Sequence, residues 1–297
     1  MGPKQADGIG RATPFEIRPL VDGDLDAVLA ALTDAFGDGF DAQWFQWKHR
    51  SGPWGPSRGW VAHDDGGLAG VRLFLPWRFT SGSRSYRALR PCDTVTVGRA
   101  RGQGVFRKLT ETAIAEVGND IDFFYNTPNE ESRGGYFKMG FVQWTTVGQR
   151  IGVIRPRGAS LRSPWLNRWS YSHRRMVTAM SDEFLAWRYE RCPRHEYTLL
   201  GLANSATPNG VVSRLRHWRG LRLLVVAELW GSQIDCTALV RAAAHRSSTS
   251  LVWFADIHRR SIPVSFRRPG TLVTRYDVGA EPPLPASFSL GDLEAVL

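Results

Sequence analysis

The stretch Asp93 to Leu109, DTVTVGRARGQGVFRKL, constrains this chain more than any other. Thr94, Val95, Thr96 and Val97 form a β-branched run that predicts a buried strand. The run stops at Gly98 and gives way to Arg99-Ala100-Arg101-Gly102-Gln103-Gly104. Beyond that turn Val105, Leu109, Ala113 and Val117 recur at helical spacing, so an amphipathic helix follows. Strand, glycine-rich turn and helix in this order gather free amide N–H groups and a helix N-terminus into one concavity, which suits a phosphate or pyrophosphate. Gly102 and Gly104 let the backbone approach a ligand closely, and Arg99 and Arg101 add positive charge. The turn has neither the Gly-Lys-Ser/Thr ending of a Walker loop nor the G-x-G-x-x-G spacing of dinucleotide folds. Taken alone, it also fits an exposed basic turn.

A second stretch narrows the reading. Phe123-Phe124-Tyr125 is a short apolar strand, followed by Asn126-Thr127-Pro128-Asn129-Glu130-Glu131-Ser132 and then Tyr136-Phe137-Lys138-Met139-Gly140-Phe141. Together the two stretches resemble motifs A and B of the GNAT superfamily, the acyl-CoA-dependent N-acyltransferases. The likeness covers roughly residues 16 to 150 and departs at Val97-Gly98, where many relatives carry His-Pro. It implies an α/β (α+β) GNAT fold: a mixed central sheet flanked by helices. It also implies acyl-CoA as co-substrate. Residues 99 to 104 would hold the pyrophosphate, and the backbone of Val95, Thr96 and Val97 the pantetheine arm. Asn129 and Ser132 would bond the pantetheine or the helix end, and Tyr136 would be the general acid for the departing thiolate.

The chain before this unit fits that fold. Phe15 to Leu20 alternates as a first strand, and DLDAVLAALTDAF opens a helix with acidic residues at its N-terminal end. Trp44 and Trp47 stand one helical turn apart, as core anchors or as a wall of the acceptor pocket. Asp64-Asp65-Gly66-Gly67 joins two strands as a hairpin turn, and Val142 to Val153 alternates as a closing strand.

The remainder reads as a worn second copy. Phe184 to Pro193 resembles Trp44 to Pro53, and the segment from Val252 can be laid on the segment from Phe123. In that alignment His258 falls at Asn129 and Ser265 at Tyr136, and the strand ending in Trp230-Gly231-Ser232 lacks the cradle. The expected organisation is a disordered leader at 1–14, a first GNAT domain at 15–153, a linker at 154–180 and a degenerate GNAT-like domain at 181–297. Trp165 and Trp169 in the linker are expected to fill a groove, with Trp165 touching the substrate. A tandem arrangement of this kind is similar to the N-acyltransferases that acylate the glucosamine of teicoplanin-type glycopeptides.

Composition sets the outer limits. At 297 residues, 42% hydrophobic and 22% charged, the chain has room for two ordinary globular domains. No apolar run reaches the roughly 20 residues of a membrane span, and the N-terminus has no secretory core. Three scattered cysteines form no metal or redox motif, so no metal and a cytoplasmic setting are expected. A net charge of +10 suits a polyanionic partner such as coenzyme A. Nucleic acid is disfavoured because the arginines are dispersed and no nucleic-acid fold signature is visible.

Acyl transfer to an amine needs a held donor, a polarised carbonyl, a base for the amine and an acid for the thiolate. Two residues compete for the base. Asp93, buried, could have a raised pKa; His195 has the better intrinsic pKa and faces the cleft between the halves. The leading acceptor is a small-molecule primary amine, above all an amino sugar. An aminoglycoside, a protein lysine and a non-catalytic role as a CoA-binding regulator stand as alternatives.

Overall fold

The structure, a computed structural model, describes residues 15–37, 39–166, 175–278 and 285–293. The leader and Trp169 lie outside these residues. The first half runs through β1 (Glu16–Pro19), α1 (Leu25–Phe36) and α2 (Ala42–Phe45), the last continuing into a π-helical turn, Gln46–Arg50. Strands β2 (Arg58–Asp64), β3 (Gly67–Ser81) and β4 (Arg84–Thr96) lead to α3 (Val105–Val117), β5 (Phe123–Asn126), α4 (Glu130–Lys138) and β6 (Val142–Val153). Short strands β7 (Leu161–Arg162) and β8 (Val177–Thr178) connect to α5 (Asp182–Leu185), which also continues into a π-helical turn, Ala186–Glu190. Then come β9 (Thr198–Leu202), β10 (Gly210–Trp218), β11 (Leu221–Trp230), α6 (Gln233–Arg246), β12 (Leu251–Ala255) and β13 (Ser265–Asp277).

The expected elements form because local signals agree with burial. The hairpin closes at Asp64↔Gly67, with Gly67 at φ 91°. Helix α3 seats on β3 because Gly70 leaves room: a Cβ there would stand 2.8 Å from Val105 and 3.0 Å from the Val95 carbonyl. Phe74, Leu89 and Phe124 form a core beneath α3 and α4, and Leu224, Val226, Val252 and Phe254 form one with α6. The opposite face carries the largest core, shared by both halves from Leu73 and Trp77 to Val225 and Trp253. Among the described residues no helix is long and apolar enough to cross a membrane.

All the strands belong to one mixed sheet, in the order β1-β2-β3-β4-β5-β13-β6-β12-β11-β10-β9-β7, with β8 on β3. The 154–180 connection therefore does not part the sheet. Strand β13 lies between β5 and β6, and β6 pairs with β12, so each half lends its last long strand to the other. In place of a counterpart to α4, the second half has a 3-10 turn at Asp256–His258 and then enters β13.

The halves meet at two tryptophans. Trp47 and Trp187 stack at 5.5 Å between ring centroids. Each indole N–H donates to the other's backbone carbonyl, at 2.7 and 2.8 Å. Truncating Trp187 removes a large buried ring, leaves the Trp47 carbonyl without its donor and unstacks the Trp47 ring. Trp187→Ala should lower stability by about 3–5 kcal/mol. Urea unfolding measures this; a loss below about 1 kcal/mol would show that the pair does not tie the halves together.

Candidate active site

Strand β4 pairs in parallel with β5 only at Ala88↔Phe123 and Leu89↔Phe124. From Arg90 to Thr96 its edge toward β5 has no strand partner, while its other edge stays bonded to β3, as at Val95↔Val71 and Thr96↔Gly70. The strands part at the residues expected to hold a pantetheine arm. At the end of the open edge lies the turn, with Gly102 at φ 76° and Gly104 at φ 80°. No heavy atom lies within 4 Å of where a Cβ would stand at Gly98, Gly102 or Gly104, so the concavity is open. Helix α3 starts at Gly104 without a side-chain cap, which leaves its first-turn amides for an outside anion. An open, uncapped cradle beside an unpaired strand edge fits a thioester carrier with a diphosphate.

Two side chains of the turn are otherwise engaged. Arg99 turns back to the β2–β3 hairpin, donating to Asp64 at 2.6 Å and to the carbonyls of Gly67 and Leu68. Gln103 braces the turn by donating to the Arg99 carbonyl at 2.9 Å. Arg101 stays exposed, with one bond to the Thr96 carbonyl. Asn129 and Ser132 sit at the start of α4: the Asn129 carboxamide accepts from the Ser132 amide at 2.8 Å and from its hydroxyl at 2.6 Å. Of the two roles expected for this pair, the helix-end role is the one their hydrogen bonds fill.

Tyr136 is 4% exposed beneath α3. Its hydroxyl accepts from Arg72 Nη2 at 2.5 Å. Burial raises the phenol pKa against the opposing Arg72 charge, so the hydroxyl keeps its proton at neutrality. Arg72 is fully buried, stacks over Phe106 at 4.3 Å, and has no acceptor at Nε or Nη1. It sits where β4 bulges, for Val71↔Val95 is followed by Leu73↔Cys92. The sequence reading missed Arg72, because an arginine inside the apolar run LAGVRLFL reads as an edge residue.

On the other face, the bulge turns Asp93 toward the π-helical turn at φ 42°, a conformation costly for a residue with a side chain. Its Oδ2 lies 2.7 Å from Lys48 Nζ and 2.7 Å from His49 Nε2, and Ser57 bonds the other imidazole nitrogen at 2.9 Å. Burial alone would raise the Asp93 pKa, but the Lys48 charge and the His49 hydrogen bond outweigh it. The carboxyl is held well below the usual carboxylate range. The expected raised pKa is thus reversed, and the physical reason is the lysine the sequence reading did not place beside it. Burial lowers the His49 pKa, so its ring is neutral, and both ring nitrogens are engaged. His49, Cys92 and Asp93 are close enough to share a metal ion. However, Lys48 already supplies the cation, and burial pushes the Cys92 thiol up to about 12.

Beside this knot is a cavity of about 260 Å³, lined by Trp44, Trp47, Trp77 and Trp187 with Lys48, Arg90, Arg188, Arg194 and His195. Arg90 is the first residue of β4 beyond its last pair with β5, so the cavity begins where the strands part. His195 lines it, as expected of a candidate base. Trp44 and Trp47 stack at 4.6 Å and also wall the cavity. Trp165 is absent from this lining. It is 41% exposed at the far end of the second half, where its amide donates to Asn209 and its carbonyl accepts from Trp230.

The second half repeats the knot with different chemistry. Arg188 and Tyr189 lie in the second π-helical turn as Lys48 and His49 lie in the first, and the β10–β11 register also slips beside Glu228. The Tyr189 hydroxyl donates to Glu228 at 2.6 Å. Ser289, on the C-terminal segment, donates to the same oxygen at 2.9 Å. Burial and the neighbouring Asp292 push the Glu228 carboxyl up to about 8. Where α3 is uncapped, α6 is capped by Ser232, and the Asp235 carboxylate accepts from Ser232 and Thr207 at 2.8 and 3.0 Å. A side-chain carboxylate thus sits where an anion would bind.

Two stability predictions follow from these shifts. Asp93 has a depressed folded pKa, so its stabilisation is present above the unfolded value near 3.9 and fades below it. Asp93→Asn should cost about 3–5 kcal/mol at pH 7 by stranding buried Lys48, and Lys48→Met in the same chain should restore part of the loss. Urea unfolding of both variants checks this, and equal losses would contradict it. Glu228 has a raised folded pKa, so its stabilisation is present below about 4.3 and is lost as pH rises to about 8. Glu228→Gln should gain on the wild type by roughly 4 kcal/mol between pH 5 and 8.5; a difference independent of pH would contradict it.

Residues 16–143 match the family described as Acetyltransferase (GNAT) domain. No curated protein matches the sequence. Solved structures do. A conserved Enterococcus faecalis V583 protein of unknown function, described as a probable N-acyltransferase, superposes with a TM-score of 0.68 at 10% identity, over 89% of this chain and 72% of that one. A GCN5-related N-acetyltransferase from Anabaena variabilis ATCC 29413 gives 0.68 at 14% identity, over 89% and 73%. Eis1 from Mycobacterium abscessus gives 0.59 at 12% identity, over 87% and 72%. The chain has the GNAT fold, and its residues 16–143 match the Acetyltransferase (GNAT) domain family.

Proposed function

We propose that this protein transfers an acyl group, acetyl in the first instance, from acyl-CoA to the primary amine of a small molecule. The observation that carries the reading is the open edge of β4 from Arg90 to Thr96, with an uncapped anion cradle at its end and an aromatic cavity at its start. Bound acyl-CoA supplies an activated thioester carbonyl. The first-turn amides of α3 hold its diphosphate. Of Val95, Thr96 and Val97, the Thr96 amide faces the open edge and would polarise the carbonyl, whereas the Val97 amide already donates to the Ala69 carbonyl at 3.0 Å. Trp44, Trp47, Trp77 and Trp187 give the cavity an apolar, aromatic wall, which suits the body of an amino sugar. The glucosamine of a glycopeptide is one acceptor of that kind.

Tyr136 is assigned as the acid. Arg72 donates into the phenol oxygen, which leaves the hydroxyl's own proton to be given to the departing thiolate. His195, on the cavity wall, is the group placed to take the amine proton, directly or through water. Asp93 instead orients Lys48 and His49. The second half is a degenerate copy of the first: it matches in strand order, π-helical turns and knot, and it has filled its cradle with Asp235.

The test is thiol release from acetyl-CoA across a panel of primary amines. Tyr136→Phe should lower kcat by about 10²-fold with the KM for acetyl-CoA within about threefold. His195→Ala should lower kcat near neutral pH, with the loss shrinking at alkaline pH, where the acceptor amine is already deprotonated. A CoA-binding regulator would give tight binding with no thiol release from any amine, and unchanged behaviour in Tyr136→Phe.

A further inference from the structure

The lining of the tryptophan cavity specifies more than a flat ring. Among the described residues that line it none is acidic, while Lys48, Arg90, Arg188 and Arg194 are all cations. Lys48 is paired with Asp93, and Arg90 donates to the Asp292 carbonyl at 2.6 Å and to Thr127 at 3.0 Å. Arg188 and Arg194 differ from them. Arg188 is 7% exposed, and its hydrogen bond among the described residues is a long one, 3.4 Å, to the Gly291 carbonyl. Arg194, exposed at the mouth, lies with its guanidinium 4.1 Å over the Trp44 ring. Neither has a carboxylate within ion-pair distance among the described residues. Two buried carboxyls near Arg188 and Arg90 are bonded elsewhere: Glu228, which the Arg188 charge reaches, accepts from Tyr189 and Ser289, and Asp292 accepts from Thr178 and the Ser289 amide. A buried guanidinium without an ionised partner is costly unless something else supplies the charge. Its planar fork suits a carboxylate or phosphate.

We infer that the acceptor carries an anionic group as well as its amine, and that Arg188 and Arg194 bind that group while the tryptophans hold the ring between. This rests on the reading of the cavity as the acceptor site. It narrows the substrate class. An amine bearing a carboxylate or a phosphate fits, whereas a polycationic aminoglycoside meets a wall of like charge. A cavity of about 260 Å³ limits the body to roughly one ring.

Matched pairs test the inference by calorimetry on the whole protein without acyl-CoA: L-phenylalanine against phenethylamine for a carboxylate, and glucosamine 6-phosphate against glucosamine for a phosphate. The anionic member of at least one pair should bind tenfold or more tightly than its partner, and the pair that shows it identifies the anion. The preference should shrink as salt rises. Arg188→Met and, because Arg194 is exposed and its loss leaves the fold intact, Arg194→Gln should each cut it at least fivefold with little change for the uncharged member. Equal binding within both pairs, tighter binding of the member lacking the anion, or no binding at millimolar concentration overturns the inference. The same pairs with acetyl-CoA separate the two readings. Preference in binding without thiol release keeps this inference and counts against the transferase. Thiol release at equal KM for both members keeps the transferase and discards the inference.

Discussion

Strand β4 leaves its parallel neighbour after two residue pairs, and the rest of the site depends on that parting. A strand that stayed paired to its end would seal the sheet and hide its amides. Here the unpaired edge is sustained because β4 remains bonded to β3, and because β13 closes onto β5 from its other side. The open edge presents backbone groups that water or an extended ligand can satisfy. An extended, amide-bearing arm is the occupant that the geometry suits.

The bulge in β4 converts the parting into two chemically distinct faces. One extra residue there aims Asp93 at the Lys48–His49 knot and sets Arg72 under α3 against Tyr136. The two groups work against opposite pulls of burial. Asp93 stays ionised because a lysine and a histidine contact it, whereas Tyr136 stays protonated because burial outweighs the arginine beside it. The mirrored position shows what happens when the partners change. Burial and the neighbouring Asp292 lift the Glu228 carboxyl to about 8, against the hydrogen bond that the Tyr189 hydroxyl donates to it. A similar backbone device therefore yields an ionised group in one half and a neutral one in the other.

Much of the fold was legible in the sequence. The β-branched run, the two positive-φ glycines and the 3.6-residue pattern from Val105 to Val117 are local signals, and they formed the elements they predict. The likeness of Phe184–Pro193 to Trp44–Pro53 corresponds to two π-helical turns joined through Trp47 and Trp187. What was not legible depends on pairing across long separations. The placing of β13 between β5 and β6 is set by register, which no single strand encodes. Lys48 beside Asp93, and Arg72 beside Tyr136, join residues 45 and 64 positions apart in the chain. Arg99 looked free to meet a phosphate only because the hairpin carboxylate that holds it, Asp64, lies 35 residues earlier. Trp165 looked like a groove filler, but its groove belongs to Asn209 and Trp230 rather than to the cavity.

The central claim is that the open edge of β4 and the turn at Gly102 to Gly104 receive a CoA thioester. Amide hydrogen exchange with and without coenzyme A tests it most directly. The account predicts new protection at the Thr96 amide, which faces the open edge, and from Gly102 to Phe106, with none at the Ser232-capped start of α6. Protection confined to the second half, or none at saturating coenzyme A, would contradict it.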